Sequence, residues 1–215
     1  MITLIIVRHG ESMANVQKLR SGQSDFALSD LGFEQAELTG AYLKKTFHID
    51  KIYASDLSRT MDTARPTAKV FGLEVIPEPD FREVNSGIWE GTPFPLAKEQ
   101  PFFLPWLNDE DIAPEGGESN KHMKERVLAC LDRILAENPG KCVAVFTHWG
   151  PKNKIIQSWL EVKPEWREEI EGKPYCNSSV TVMEYSDDGV PQKLVCLGYS
   201  DHLEGKITST GSFQL

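Results

Sequence analysis

Short β-rich runs alternate along this chain with longer stretches of helical period, and that alternation restricts the fold more than any other feature. Residues 2–7, Lys51–Ala54, residues 73–76 and Cys142–Thr147 are apolar and rich in branched side chains, as strands covered on both faces require. Between them, Ala36, Gly40, Leu43 and Phe47 recur at helical spacing from about Phe33, and Met123, Val127, Leu131 and Ile134 do so later. Residues 57–71 supply a further helix, with Pro66 as a kink point. The order predicts a three-layer α/β/α sandwich with a mainly parallel sheet. Near the C-terminal end, Val180–Tyr185 and residues 194–199 flank Ser186-Asp187-Asp188-Gly189, whose Asp-Gly pair is a hairpin signal and predicts an antiparallel edge strand.

With 215 residues the chain is expected to form one domain, 1–215. The alternation breaks between Pro93 and Pro114, where five prolines accompany Phe94, Phe102, Phe103 and Trp106. This segment predicts an inserted lid at about residues 92–117, or a satellite core beneath a surface excursion. The charged stretch 161–173 reads as a solvated helix face.

Lys and Arg total 23 against 32 Asp and Glu, so the net charge of −9 disfavours nucleic acid and anionic membranes as partners. An anionic ligand then needs a local basic pocket. The early apolar run is too short to span a bilayer and has no basic leader, which predicts a cytoplasmic protein. Cys130, Cys142, Cys176 and Cys196 show no paired spacing and are expected to be free thiols. Asn177-Ser178-Ser179 matches a glycosylation sequon, which has no consequence in that compartment.

Two runs share one grammar: Leu4-Ile5-Ile6-Val7 leads into Arg8-His9-Gly10, and Val143-Ala144-Val145-Phe146 into Thr147-His148-Trp149-Gly150. Each histidine follows an apolar strand by two residues, at the strand end where open α/β sheets bind ligands. A lone histidine is usually a satisfied polar residue; two in matching contexts point to a site. Arg8 adds a permanent cation whose planar fork suits phosphate or carboxylate, and Gly10 permits close approach of the backbone to a ligand.

Arg8-His9-Gly10-Glu11-Ser12 resembles the signature of the histidine phosphatase, or phosphoglycerate mutase-like, superfamily. The resemblance continues through Asn15, through Asp25 with Leu28-Ser29 and Gly32 to Gln35-Ala36, and through residues 55–64. It extends to Phe81-Arg82-Glu83 with Gly87-Ile88-Trp89-Glu90-Gly91, to Gly116-Gly117-Glu118-Ser119, and to Thr147-His148. It implies that His9 is the nucleophile that becomes phosphorylated and that Glu83 is the proton donor. Arg8, Asn15, Arg59 and His148 would form the phosphate pocket, with no metal and no cofactor. Phosphoryl transfer spreads charge over three equatorial oxygens, so cations and donors placed around phosphorus suit it.

The chain departs from the family pattern at Ser21, Ala27, Asp56 and Trp149. Gly22, Gln23 and Trp149 are therefore candidate substrate contacts, and Trp149 either stacks on a ligand or packs beneath the following helix. Between Val84 and Gly117 the only cation is Lys98, against Glu90, Glu99, Asp109, Glu110, Asp111 and Glu115. That balance favours a phosphatase of small phosphorylated metabolites over a mutase, which must hold further anionic groups. It also predicts neutral or apolar leaving groups, with Phe102, Phe103 or Trp106 as contacts. The alternatives are mutase-type transfer and a non-catalytic phospho-ligand domain on the same fold. A metal site from His9, Glu11 and His148 matches no metal-binding spacing and lies beside a repelling arginine.

Overall fold

Alternate residues of the first strand enter two separate apolar cores, Leu4 and Ile6 in one, Ile5 and Val7 in the other. A strand with helices on both faces has this pattern. The computed structural model describes residues 1–172, 174–208 and 211–212. Its strands are β1 (Ile2–Arg8), β2 (Lys51–Ala54), β3 (Val75–Pro77), β4 (Cys142–Thr147), β5 (Pro174–Tyr175), β6 (Val180–Tyr185), β7 (Pro191–Tyr199) and β8 (Gly211–Ser212). Its α-helices are α1 (Met13–Val16), α2 (Asp30–Thr46), α3 (Ser58–Phe71), α4 (Phe94–Lys98), α5 (Phe103–Asn108), α6 (Asn120–Glu137), α7 (Trp149–Val162) and α8 (Arg167–Ile170).

Six strands form one sheet in the order β3-β2-β4-β1-β6-β7, and β5 pairs with β8 apart from it. The first four in that order are parallel; the β6–β7 hairpin adds the antiparallel edge. One face is covered by α2 and α3, through Leu43, Ala64 and Ala68. The other is covered by α6 and α7, through Val127, Leu131, Ile155 and Trp159. The expected three-layer α/β architecture is therefore the observed one.

Local chemistry explains the boundaries. Ser29 and Ser119 cap α2 and α6, their side chains accepting the N–H of Gly32 and His122. Pro66 does not interrupt α3, which runs on to Phe71 and ends on Gly72 in the left-handed region at φ 70°. The backbone at Pro66 lies where a Cβ on Gly40 would come within 3.1 Å of it, so a glycine is what lets α2 and α3 approach this closely. The stretch 161–173 is not one helix: α7 stops at Val162, Pro164 opens a 3₁₀ turn, and α8 follows with Ile170 buried. Proline cannot continue the α7 hydrogen-bond ladder, and Trp166 turns in to meet Trp159 at 5.9 Å. Lys173 lies outside the described residues.

The insertion holds its aromatics inward. Trp89, Phe103 and Trp106 are buried together, with ring centroids 5.0 to 5.8 Å apart, and Phe94 packs against Phe103. Trp106 Nε1 donates to the Glu118 carbonyl at 3.1 Å. The expectation that Phe103 or Trp106 contacts substrate is thereby corrected: both are fully enclosed, and only Phe102, 73% exposed, faces solvent. The four cysteines carry no disulfide, two being buried and two half-buried. Among the described residues no helix is long and apolar enough to cross a membrane.

Candidate active site

The sheet register brings the two histidines together. Arg8 at the end of β1 pairs with Thr147 at the end of β4, so the next residues, His9 and His148, leave the sheet side by side. The His9 N–H donates to the Thr147 carbonyl at 2.9 Å, and the imidazole centroids are 5.2 Å apart. Directly after the next strand, β2, the Ser55 N–H bonds to the Phe146 carbonyl, which places its hydroxyl 2.9 Å from His148 Nε2.

His9 Nδ1 lies 2.7 Å from its neighbour Gly10's carbonyl oxygen. A carbonyl only accepts, so Nδ1 carries the proton and the lone pair is on Nε2. Burial holds the His9 pKa well below the ordinary histidine value, and the Arg59 and Arg8 charges lower it further. The ring is neutral at physiological pH. His148 is held down by the same causes, burial first and then Arg59. If Ser55 donates to its Nε2, its buried Nδ1 becomes a donor, and that atom has no hydrogen-bond partner among the described residues.

Arg59 comes from the first turn of α3 and is fully buried. Its terminal nitrogens donate to the carbonyls of Ser24 (2.9 Å) and Gly22 (2.8 Å), while its Nε has no partner among the described residues. Arg8 donates from Nη1 to the Tyr175 carbonyl at 3.4 Å. Burial lowers both guanidinium pKa values to about 10, which leaves both charged near neutral pH. Asn15 turns its Oδ1 to the Ser12 N–H, the Ser12 hydroxyl and Asn177 Nδ2, so its amide hydrogens face elsewhere.

Glu83 reaches the site from the segment after β3. Its carboxylate accepts the N–H of Val84 (2.8 Å) and the N–H of Gly150 (3.1 Å), the latter in the first turn of α7. A helix N-terminus is a favourable place for a carboxylate. A Cβ on Gly150 would stand 2.1 Å from Glu83 Oε1, so any larger residue there displaces the carboxylate from this position.

The residues named from sequence thus divide. His9, His148, Arg8, Arg59 and Asn15 meet at the ends of β1 and β4, with Glu83 at the rim. Gly22 and Gln23 border them: Gly22 supplies its carbonyl to Arg59, and Gln23 Nε2 donates to the Glu83 carbonyl at 3.1 Å. Trp149 opens α7 and is 37% exposed, which removes the reading that it packs beneath that helix. The glycine at position 10 serves a different approach from the one expected: a Cβ there would lie 2.6 Å from the Gly32 carbonyl oxygen, at the start of α2.

Four further residues contribute to the site. Ser55 and Thr63 stand inside the 55–64 stretch that resembles the family, and Thr63 Oγ1 accepts the Gly10 N–H at 2.9 Å. Gly150 has no signal of its own. Asn177 shows only as part of a sequon, yet it is fully buried and donates to the His9 and Gly10 carbonyls at 3.0 and 3.2 Å. That burial also removes it as a glycosylation acceptor.

The family model for the histidine phosphatase superfamily (branch 1) matches residues 4–197. The chain belongs to that superfamily. It is 33% identical over 207 residues to phosphoglycerate mutase-like protein 4 of Arabidopsis thaliana, covering 94% of this chain and 86% of that protein. Its structure resembles mycobacterial glucosyl-3-phosphoglycerate phosphatase at TM-score 0.77 and 26% identity, covering 92% of this chain and 99% of the other. It also resembles a phosphoserine phosphatase from Entamoeba histolytica, solved with 3-phosphoglyceric acid, at TM-score 0.78 and 25% identity, covering 94% and 100%. The chain spans under half the length, 44%, of the mycobacterial relatives it matches at 32% identity, among them a bifunctional protein of Mycobacterium tuberculosis.

Proposed function

We propose that the protein is a metal-independent phosphomonoester hydrolase of small phosphorylated metabolites that works through a phosphohistidine at His9. The observation that carries this reading is the neutral His9 ring, fixed with its Nε2 lone pair free beside two buried guanidinium groups and His148. Two buried donor atoms there, Arg59 Nε and His148 Nδ1, lack partners among the described residues and suit phosphoryl oxygens.

In the first step His9 Nε2 attacks phosphorus as the bond to the ester oxygen breaks, and Glu83 delivers a proton to that oxygen, releasing the alcohol. Arg8, Arg59 and His148 hold the three equatorial oxygens while charge moves between them. In the second step water attacks the phosphohistidine, Glu83 takes its proton, and inorganic phosphate leaves with His9 neutral again. The guanidinium groups supply the positive charge that a metal provides in other phosphatases.

The test is phosphate release from a panel of esters, with and without chelator, together with trapping of labelled phosphate under acid-free quench. Turnover with label on His9, insensitive to chelator, is the expected result. Chelator-sensitive turnover restored by a divalent ion, or turnover without label, contradicts the reading. Transfer of phosphate between positions of phosphoglycerate faster than its release would make the protein a mutase.

A further inference from the structure

Arg8 and Arg59 belong to the proposed phosphate pocket, and of the other arginines around the site one stands apart. Arg59 donates to peptide carbonyls, Arg82 pairs with Asp56 and Arg126 pairs with Glu118. Arg20 is instead fixed at its base and open at its tip. Its backbone is tied to the start of the insertion, donating to the Thr92 carbonyl (2.9 Å) and accepting from the Gly91 N–H (2.8 Å). Its Nε donates to Ser86 Oγ at 3.0 Å, and its guanidinium carbon lies 4.8 Å from the Trp106 ring centre and 5.8 Å from that of Phe103. The two terminal nitrogens make no hydrogen bond and no ion pair among the described residues.

The nearby acids do not occupy that tip. Glu90 Oε1 accepts the N–H groups of Gln23 and Ser86, and its Oε2 accepts the Ser24 hydroxyl. Glu83 is taken by Val84 and Gly150. Burial lowers the Arg20 pKa, and the Glu83 and Glu90 charges raise it, so Arg20 and the proton donor lie within each other's field.

The acids that argued for a neutral leaving group are spent or turned outward. Glu110 pairs with Lys154, Asp111 pairs with Lys121, and Glu90 is built into the 22–24 loop. These pairings leave the tip of Arg20, which comes from outside the segment between Val84 and Gly117, without an acidic partner among the described residues.

We propose that Arg20 determines specificity, binding a carboxylate on the leaving-group side of the phosphate ester. This rests on the phosphatase reading above, because the leaving oxygen must depart toward Glu83, and the substrate body beyond it then lies in the field of Arg20. A planar fork matches a carboxylate through two parallel hydrogen bonds, and stacking on Trp106 orients it before the substrate arrives. The buried aromatics of the insertion become the platform for that arginine, a role distinct from touching substrate themselves.

A matched pair tests it: 3-phosphoglycerate and glycerol 3-phosphate, which differ by a carboxylate against a hydroxymethyl group. The wild type is expected to favour 3-phosphoglycerate in kcat/KM by at least tenfold. Arg20→Met should collapse that ratio by at least tenfold, and Arg20→Lys should restore part of it. Binding of 3-phosphoglycerate to the His9→Ala protein by calorimetry, with and without Arg20→Met, reads the same contact without turnover. A wild type that binds 3-phosphoglycerate without hydrolysing any ester would defeat the hydrolase reading and leave the Arg20 contact measurable. Equal losses on both esters would make Arg20 merely structural, and an unchanged ratio would remove it. An Arg20 dependence seen for glycerol 1,3-bisphosphate and absent for 3-phosphoglycerate would show that the fork takes a second phosphoryl group, overturning the carboxylate.

Discussion

The proposed phosphate pocket hangs from the ends of three adjacent parallel strands, whereas the proposed leaving-group end is held by the 17–24 loop and by the packed aromatics of the insertion. In the pocket, backbone register does the placing: Arg8 opposite Thr147 sets His9 beside His148, and the next strand delivers Ser55. At the other end, side chains place one another, Trp106 under Arg20 and Glu90 beneath Gln23. The difference predicts that pocket substitutions change chemistry and leave the fold, while insertion substitutions change both. Sheet register is shared by many residues; a stack depends on a few.

The largest effect belongs to the pocket. His9→Ala should lower turnover by roughly 10⁴-fold or more with little change in thermal midpoint. A drop in stability matching the loss of activity would erase the contrast between the two ends. Glu83→Gln stands at the border and should cost about 10²- to 10⁴-fold on alkyl esters, and far less on aryl phosphates whose leaving groups scarcely need a proton. Equal losses on both ester classes would remove Glu83 as the acid.

Legibility followed the same division. The strands and their terminal histidines were readable because a fully covered parallel strand leaves a continuous apolar run, and its end is where ligands bind. Arg59 and Glu83 were readable only through the family resemblance, since one is a helix residue and the other a loop carboxylate. Gly150 and Arg20 were not readable at all. Gly150 matters because Glu83 arrives against it from 67 positions away, and Arg20 because Trp106 folds beneath it. Neither meeting has a local signal. Phe103 and Trp106 misled for the same reason: in a proline-rich segment an aromatic that packs and one that contacts ligand look alike.

The aromatic platform supplies the next test. Trp106→Ala removes a fully buried indole and its hydrogen bond to the Glu118 carbonyl, and should cost about 3–5 kcal/mol of stability. Because Arg20 rests on that ring, the preference for 3-phosphoglycerate should fall along with the denaturation midpoint. A rise in the Michaelis constant for bulky esters at unchanged stability would instead return Trp106 to the role of a substrate contact.

The smallest effect concerns a cation behind the pocket. Lys152 in α7 is almost wholly buried, donates to Ser179 Oγ (3.1 Å) and to the Ser179 carbonyl (3.3 Å), and lies 4.7 Å from the Tyr175 ring centre. Burial pushes its pKa down to about 7, and the Arg8 charge adds to the fall. Between that value and the ordinary lysine value near 10.5, the unfolded chain binds a proton that the native protein lacks. Stability therefore rises with pH across this window; below about 7 both states are charged, and the cost of burying the charge is present in full. Every tenfold loss of proton affinity on folding corresponds to about 1.4 kcal/mol, so the whole window is worth a few kcal/mol. Lys152→Met abolishes the titration while keeping the length of the side chain. Its packing and the lost hydrogen bonds to Ser179 shift stability equally at every pH, so only the slope is diagnostic. Urea denaturation at pH 6, 8 and 9.5 should show the variant at its greatest relative advantage at pH 6, with the wild type gaining on it as pH rises. Parallel stability curves would mean that Lys152 keeps its charge in the folded state, and that the core behind Arg8 accommodates it without titrating.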